Sequence, residues 1–183
     1  MTQRLSKQDW LQAGFDALTE AGPAALKAEP LARRLGTTKG SFYWHFDDVP
    51  GFHAALLAAW AGDATAVIAA QREEVGTAVQ KLRNLAQIAA QDIAHERAGL
   101  EPAMRAWARD NVNVAAQIAA VDEARMAYIT TLLSEIGLTN PELTRLLYGA
   151  LLGMEALSAH DGVQNGPALG TLVDLILALH EAE

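Results

Sequence analysis

The sequence predicts an all-α fold of about nine helices. Three observations carry that reading. Apolar residues recur at the helical period along the whole chain. No segment keeps the strict alternation of a half-buried strand. Residues that start and stop helices stand where the period breaks.

Taken in order, Ser6 with Asp9 resembles a capping box, the hydroxyl serving an exposed amide and the carboxylate reaching back. The helix it opens places Trp10, Leu11, Phe15 and Leu18 on one face and stops at Gly22-Pro23. A short second helix runs through "EPLARRL", with Pro30 tolerated in its first turn and Gly36 ending it. After Thr37 and Thr38 comes a third short helix, in "TTKGSFYWHF". Asp48 looks like the N-cap of a long fourth helix, with Pro50 close behind; it runs through Trp60 toward Glu74, and Gly76 weakens it. Further helices are expected over "AVQKLRNLAQIAAQDIAHERA", "PAMRAWARD" and "AQIAAVDEARMAYITTLLSEIG". Asn140-Pro141 starts another over "PELTRLLYGALLGMEALSAH", and the loop "DGVQNGP" precedes the last, "ALGTLVDLILALHE".

At 183 residues the chain is long enough for one filled core, or for a small module fused to a larger one. It has no cysteine, which removes disulfides and thiolate metal sites and fits a reducing compartment. The N-terminus "MTQRLSKQDWLQAG" lacks the apolar run of a signal peptide. Asp63 and Glu155 interrupt the richest apolar stretches, so no bilayer span, no membrane partner and a cytoplasmic location are expected. The net charge of −8 is uneven: residues 1–60 carry six basic and six acidic side chains, and the remainder holds the entire excess. Such asymmetry suggests two jobs in one chain.

Aromatic residues are only 6% of the chain, yet Phe42, Tyr43, Trp44 and Phe46 crowd together. On a helical wheel Phe42 and Phe46 share one side and serve as core anchors. Gly40, Tyr43 and Trp44 fall on or near the opposite side, with Ser41 and His45 on one flank and Lys39 on another. Outward aromatics beside lysine, serine and histidine suit a polyanion groove. Lysine and small hydroxyls serve base edges or phosphates; Tyr, Trp and His donate to phosphate oxygens. The second helix, the tight Gly36 turn and this third helix together form a helix-turn-helix, whose second helix enters a major groove.

The last two long helices are apolar on most sides and therefore need cover on most sides. A second copy of the chain is the economical cover, as a two-fold dimer. The expected interface is Leu147, Gly149, Ala150, Gly153 and Leu157 with Leu172, Leu175, Ile176 and Leu179. Gly149 and Gly153, one turn apart, would let two backbones approach closely.

The first 60 residues resemble the DNA-binding domain of the tetracycline-repressor (TetR) family. The resemblance rests on a first helix ending at "EAG", then "LARRLGTTKGSFYWHF", then "ALLAAW", with Gly36, Gly40, Tyr43, His45 and Phe46 at the family's spacings. It implies a one-component, dimeric regulator, usually a repressor, with residues 1–47 as DNA-binding domain and 48–183 as helical effector-binding and dimerisation domain. By resemblance, Thr38, Lys39 and Tyr43 would face bases, with Gly40 allowing close approach. Ser41, Trp44 and His45 would meet phosphates, with Lys27 as a further phosphate contact. The chain departs from the family pattern at Val49, where many relatives carry a phosphate-binding lysine, and Asp47 and Asp48 add negative charge nearby. Modest affinity with steep salt dependence is expected.

Met104, Trp107, Asn111, Met126, Tyr128 and Met154 combine apolar bulk with a few polar groups and are the expected effector contacts, pointing to an apolar or aromatic small molecule. No "GxSxG", glycine-rich phosphate loop or paired zinc-ligand histidines are found, so neither an enzyme nor a cofactor or metal is expected. The rival reading is a helical adaptor that binds protein through the apolar final helices.

Overall fold

In the computed structural model the described residues are 5–92 and 99–181, and among them lie nine α-helices, one 3-10 turn and no strand. The chain forms two compact units. One comprises Met1–Asp63 with Leu100–Ile118; the other comprises Ala64–Gly99 with Ala119–Glu183. The expected helical stretch over 93–98, with His95, lies outside the described residues.

In the first unit, α1 (Lys7–Ala21) begins on a complete capping box: the Ser6 hydroxyl accepts from the Asp9 amide at 3.2 Å, and Asp9 accepts from the Ser6 amide at 2.7 Å. That backbone donor, joined by the Ser6 hydroxyl, holds the Asp9 carboxyl below the usual carboxylate range. A 3-10 turn over Pro23–Ala25 follows, a feature the sequence pattern did not reveal. Next come α2 (Ala28–Arg34) and α3 (Lys39–Tyr43). The long α4 (Val49–Glu73) starts where the Asp48 carboxylate accepts the Gly51 amide at 2.7 Å. Gly14 on α1 lets α4 in close, since a Cβ there would lie 2.6 Å from the Phe52 ring. The unit closes with α6 (Leu100–Ala108), which packs on α1 and buries Leu100, Met104 and Trp107.

By length and composition α4 is apolar enough to cross a bilayer, an 18-residue window that includes Asp63 having a mean hydropathy of 1.4. This corrects the expectation drawn from Asp63. Phe52, Leu56, Trp60 and Ile68 are buried along one side of α4, and most of its apolar stretch is not buried within the chain.

In the second unit, α5 (Ala78–Asp92) packs against α8 (Pro141–Asp161) and α9 (Gly166–Glu181). The Asn140 side chain caps α8, and α9 begins two residues earlier than its apolar pattern suggests. The later part of α7 (Val112–Glu135) adds Tyr128, Ile129, Leu132 and Leu133 to the core. Tyr148, buried on α8, donates to Asp122 at 2.6 Å, and burial pushes its hydroxyl up to about 12.

Two residues of the expected pairing face lie elsewhere. Leu147 and Ile176 are 2% and 5% exposed and belong to this chain's own core. A helix apolar all round gives no sequence clue to which leucine faces its own core. Leu157, Leu175 and Leu179, together with Leu146, are exposed; Gly149 and Gly153 are bare, and Ala150 and Leu172 are half-buried.

Candidate nucleic-acid interface

The turn between α2 and α3 depends on Gly36, whose φ of 62° is left-handed backbone that a side chain disfavours. Its amide bonds Arg33 and the next amide bonds Ala32, closing α2 while the chain reverses. Thr38 then caps α3, its hydroxyl accepting from the Ser41 amide at 3.3 Å. The helix is short, but Phe46 still donates its amide to the Phe42 carbonyl at 3.1 Å, so the helical sense carries through Trp44 and His45.

Anchoring comes from the inner side. Phe42 is fully buried, edge-on to Trp10 at 5.4 Å, and it meets Phe46 at 5.2 Å and Phe52 at 5.4 Å. Edge-to-face rings of this kind add to the burial term. With that side fixed, the other side faces outward. Tyr43 is 47% exposed and Trp44 83%; Thr38, Lys39 and Gly40 are exposed, and Ser41 and His45 are half-buried. A Cβ on Gly40 would meet nothing closer than the Thr38 hydroxyl at 3.6 Å. Packing therefore does not demand a glycine at position 40; its effect is to keep that surface bare.

The charges sort into two groups. Arg34 is spent within the fold: it makes a two-pronged pair with Glu20 at 2.6 and 2.7 Å and reaches Asp16 at 3.6 Å. The Arg34 guanidinium accordingly holds the Glu20 carboxyl below its usual range. Arg33 pairs with Glu29 at 3.4 Å. Lys27 and Lys39, by contrast, are exposed and make no ion pair among the described residues; the Lys39 ammonium lies 6.0 Å from the Tyr43 ring centre. The two lysines are thus the cations of the helix-turn-helix left for an outside anion.

One residue without a role in the sequence reading stands behind this surface. His53, on α4, reaches the Leu26 carbonyl at 2.9 Å, and its ring lies edge-on to Trp107 at 5.2 Å. Nothing in the sequence separates His53 from the chain's other scattered histidines, because the bond spans 27 residues.

The expected effector contacts are divided between the two units. Met104, Trp107 and Asn111 belong to the first unit, and Met126, Tyr128 and Met154 to the second. Met104 and Trp107 are core. Asn111 caps α7, its side-chain oxygen accepting the Asn113 and Val114 amides at 3.1 and 3.2 Å. Met126 and Met154 pack at the edge of the second core. Tyr128 is buried beneath the Arg72 guanidinium, and its hydroxyl has no partner among the described residues.

Residues 11–48 match the family described as bacterial regulatory proteins, tetR family. No curated protein sequence matches the chain. Among solved structures, a transcriptional regulator from Rhodococcus sp. Rha1 is 19% identical with a TM-score of 0.76, the match covering 95% of this chain and 97% of that one. The fatty acid degradation regulator FadR from Bacillus halodurans is 16% identical with a TM-score of 0.75, over 94% and 98%. SmeT, the repressor of the Stenotrophomonas maltophilia multidrug efflux pump SmeDEF, is 18% identical with a TM-score of 0.70, over 96% and 90%. At these identities the likeness is one of fold. Residues 11–48 thus carry the helix-turn-helix of the tetR family of bacterial regulatory proteins, and nearly the whole chain shares the fold of these solved regulators.

Proposed function

We propose that the chain is a cytoplasmic transcriptional repressor that binds a palindromic operator as a homodimer and leaves it when a small molecule binds. The observation that carries this is the two-sidedness of the α3 segment. Phe42 and Phe46 are locked inside, while Tyr43 and Trp44 stand in water beside Lys39, which makes no ion pair among the described residues. In this reading residues 1–47 form the DNA-binding domain, and residues 48–183 bind the effector and dimerise. Thr38, Lys39 and Tyr43 read bases, Gly40 allows close approach, and Ser41, Trp44, His45 and Lys27 meet phosphates.

The exposed leucines of α8 and α9 support a second copy as partner. Leu146, Gly149, Gly153 and Leu157 follow one another at helical spacing, as do Leu175 and Leu179. A two-fold dimer would set two recognition segments about 34 Å apart, one duplex turn. Effector release needs a ligand that favours an arrangement with the wrong spacing, by about 1–3 kcal/mol for ordinary coupling. The unbroken α4 is a covalent route for such a change, because its residues belong to both units.

The test is a gel shift with DNA flanking the gene, at low salt and without effector. The full-length protein is expected to shift a palindromic segment. Failure to shift any such segment would leave the adaptor reading, in which the α8–α9 leucines bind another protein.

A further inference from the structure

We propose that His53 is a positioning residue for the DNA contact of Lys27; the inference rests on the DNA-binding reading above. A carbonyl oxygen only accepts, so the 2.9 Å contact with Leu26 requires the His53 proton on Nε2. Leu26 is fully buried at the end of the 3-10 turn, with φ −78° and ψ 57°. Those angles, with the Lys27 amide donating to the Ala25 carbonyl at 2.8 Å, make an inverse γ-turn. The carbonyl that His53 holds and the amide that Ala25 accepts belong to one peptide unit, the unit that launches Lys27.

Lys27 is therefore aimed by a peptide plane pinned on both edges. Its own carbonyl continues the restraint by accepting the Leu31 amide at 3.2 Å as α2 begins. Its side chain makes no cap bond and no ion pair among the described residues, so the backbone sets the direction in which the side chain leaves α2 and the ammonium stays available to an outside anion. The His53 ring is in turn held edge-on by Trp107 of α6. Without the His53 bond the Leu26 carbonyl is a buried acceptor lacking that donor, and the turn relaxes to find another.

Asparagine and glutamine separate this from simple packing. Glutamine places an amide nitrogen where the histidine Nε2 lies; asparagine is polar too but falls short; both lose the ring against Trp107. The probe is a duplex carrying the inverted repeat that the wild-type protein enriches from a random-sequence pool. Binding is measured against salt for wild type, Lys27→Ala, His53→Asn, His53→Gln and the Lys27→Ala/His53→Asn pair. Losing one phosphate contact in each half-site lowers the log–log salt slope by about 1.8. Lys27→Ala is expected to show that drop, with an affinity loss of roughly 10- to 100-fold at 0.1 M salt. His53→Asn should move toward the same slope, His53→Gln should keep the wild-type slope, and the pair should bind no worse than Lys27→Ala alone. A wild-type slope in His53→Asn, or losses that add in the pair, overturns the inference and leaves DNA binding standing. A wild-type protein that enriches no sequence overturns the DNA-binding reading itself, and this inference with it.

Discussion

Phe42→Ala is expected to destabilise the first unit by about 3–5 kcal/mol, the usual cost of truncating a fully buried aromatic. Phe42 is the hub on which Trp10, Phe46 and Phe52 converge, at ring-centre distances of 5.2 to 5.4 Å. Its neighbours come from α1 and α4 as well as from its own segment, so no single movement refills the space. For a chain of this size each kcal/mol is worth roughly 2–4 °C, which places the melting temperature roughly 6–20 °C lower. DNA binding should fall in parallel, because the face bearing Tyr43 and Trp44 keeps its direction only while the inner side is anchored. Thermal unfolding followed by circular dichroism checks the shift; a melting temperature within a degree of wild type would contradict the packing account.

The second large effect is expected at the other end of the chain. Leu146 and Leu175 are 62% and 64% exposed, so replacing both by glutamate should leave the single chain's fold nearly unchanged. In a two-fold interface the same change would bury four carboxylates against apolar surface, a cost that pairing does not survive. Light scattering should then report one chain where the wild type reports two. Operator affinity should drop on the order of 100-fold or more, because two half-sites would no longer be held by one linked molecule. An unchanged mass would mean that these leucines meet something other than a second copy.

How much of this was legible in the sequence varies with how local the cause is. The Ser6–Asp9 box, the Asp48 and Asn140 caps and the Gly36 turn depend on neighbours a few residues apart, and the sequence displays them. The inward Phe42 and outward Trp44 follow from helical period alone. Long-range partnerships left no local trace. Leu147 and Leu146 are adjacent leucines, yet one fills this chain's core and the other stands in solvent. Asparagine suits a ligand contact and a helix cap alike, so only the amides of Asn113 and Val114 show that Asn111 caps α7. Gly14 carried no signal either, since the Phe52 ring it admits lies far along the chain.

The central claim is that the outward side of α3 reads a duplex, and the binding curve of one double variant tests it most directly. Lys39→Ala with Tyr43→Ala removes two proposed base contacts, and because only the Tyr43 ring, edge-on to Phe42 at 5.3 Å, packs on the core, the protein should stay folded with a melting temperature a few degrees lower at most. Base contacts are worth about 1–3 kcal/mol each, so affinity for the duplex selected by the wild-type protein should fall about 30-fold or more. A folded double variant that binds that duplex as tightly as wild type would place the reading surface elsewhere on the molecule.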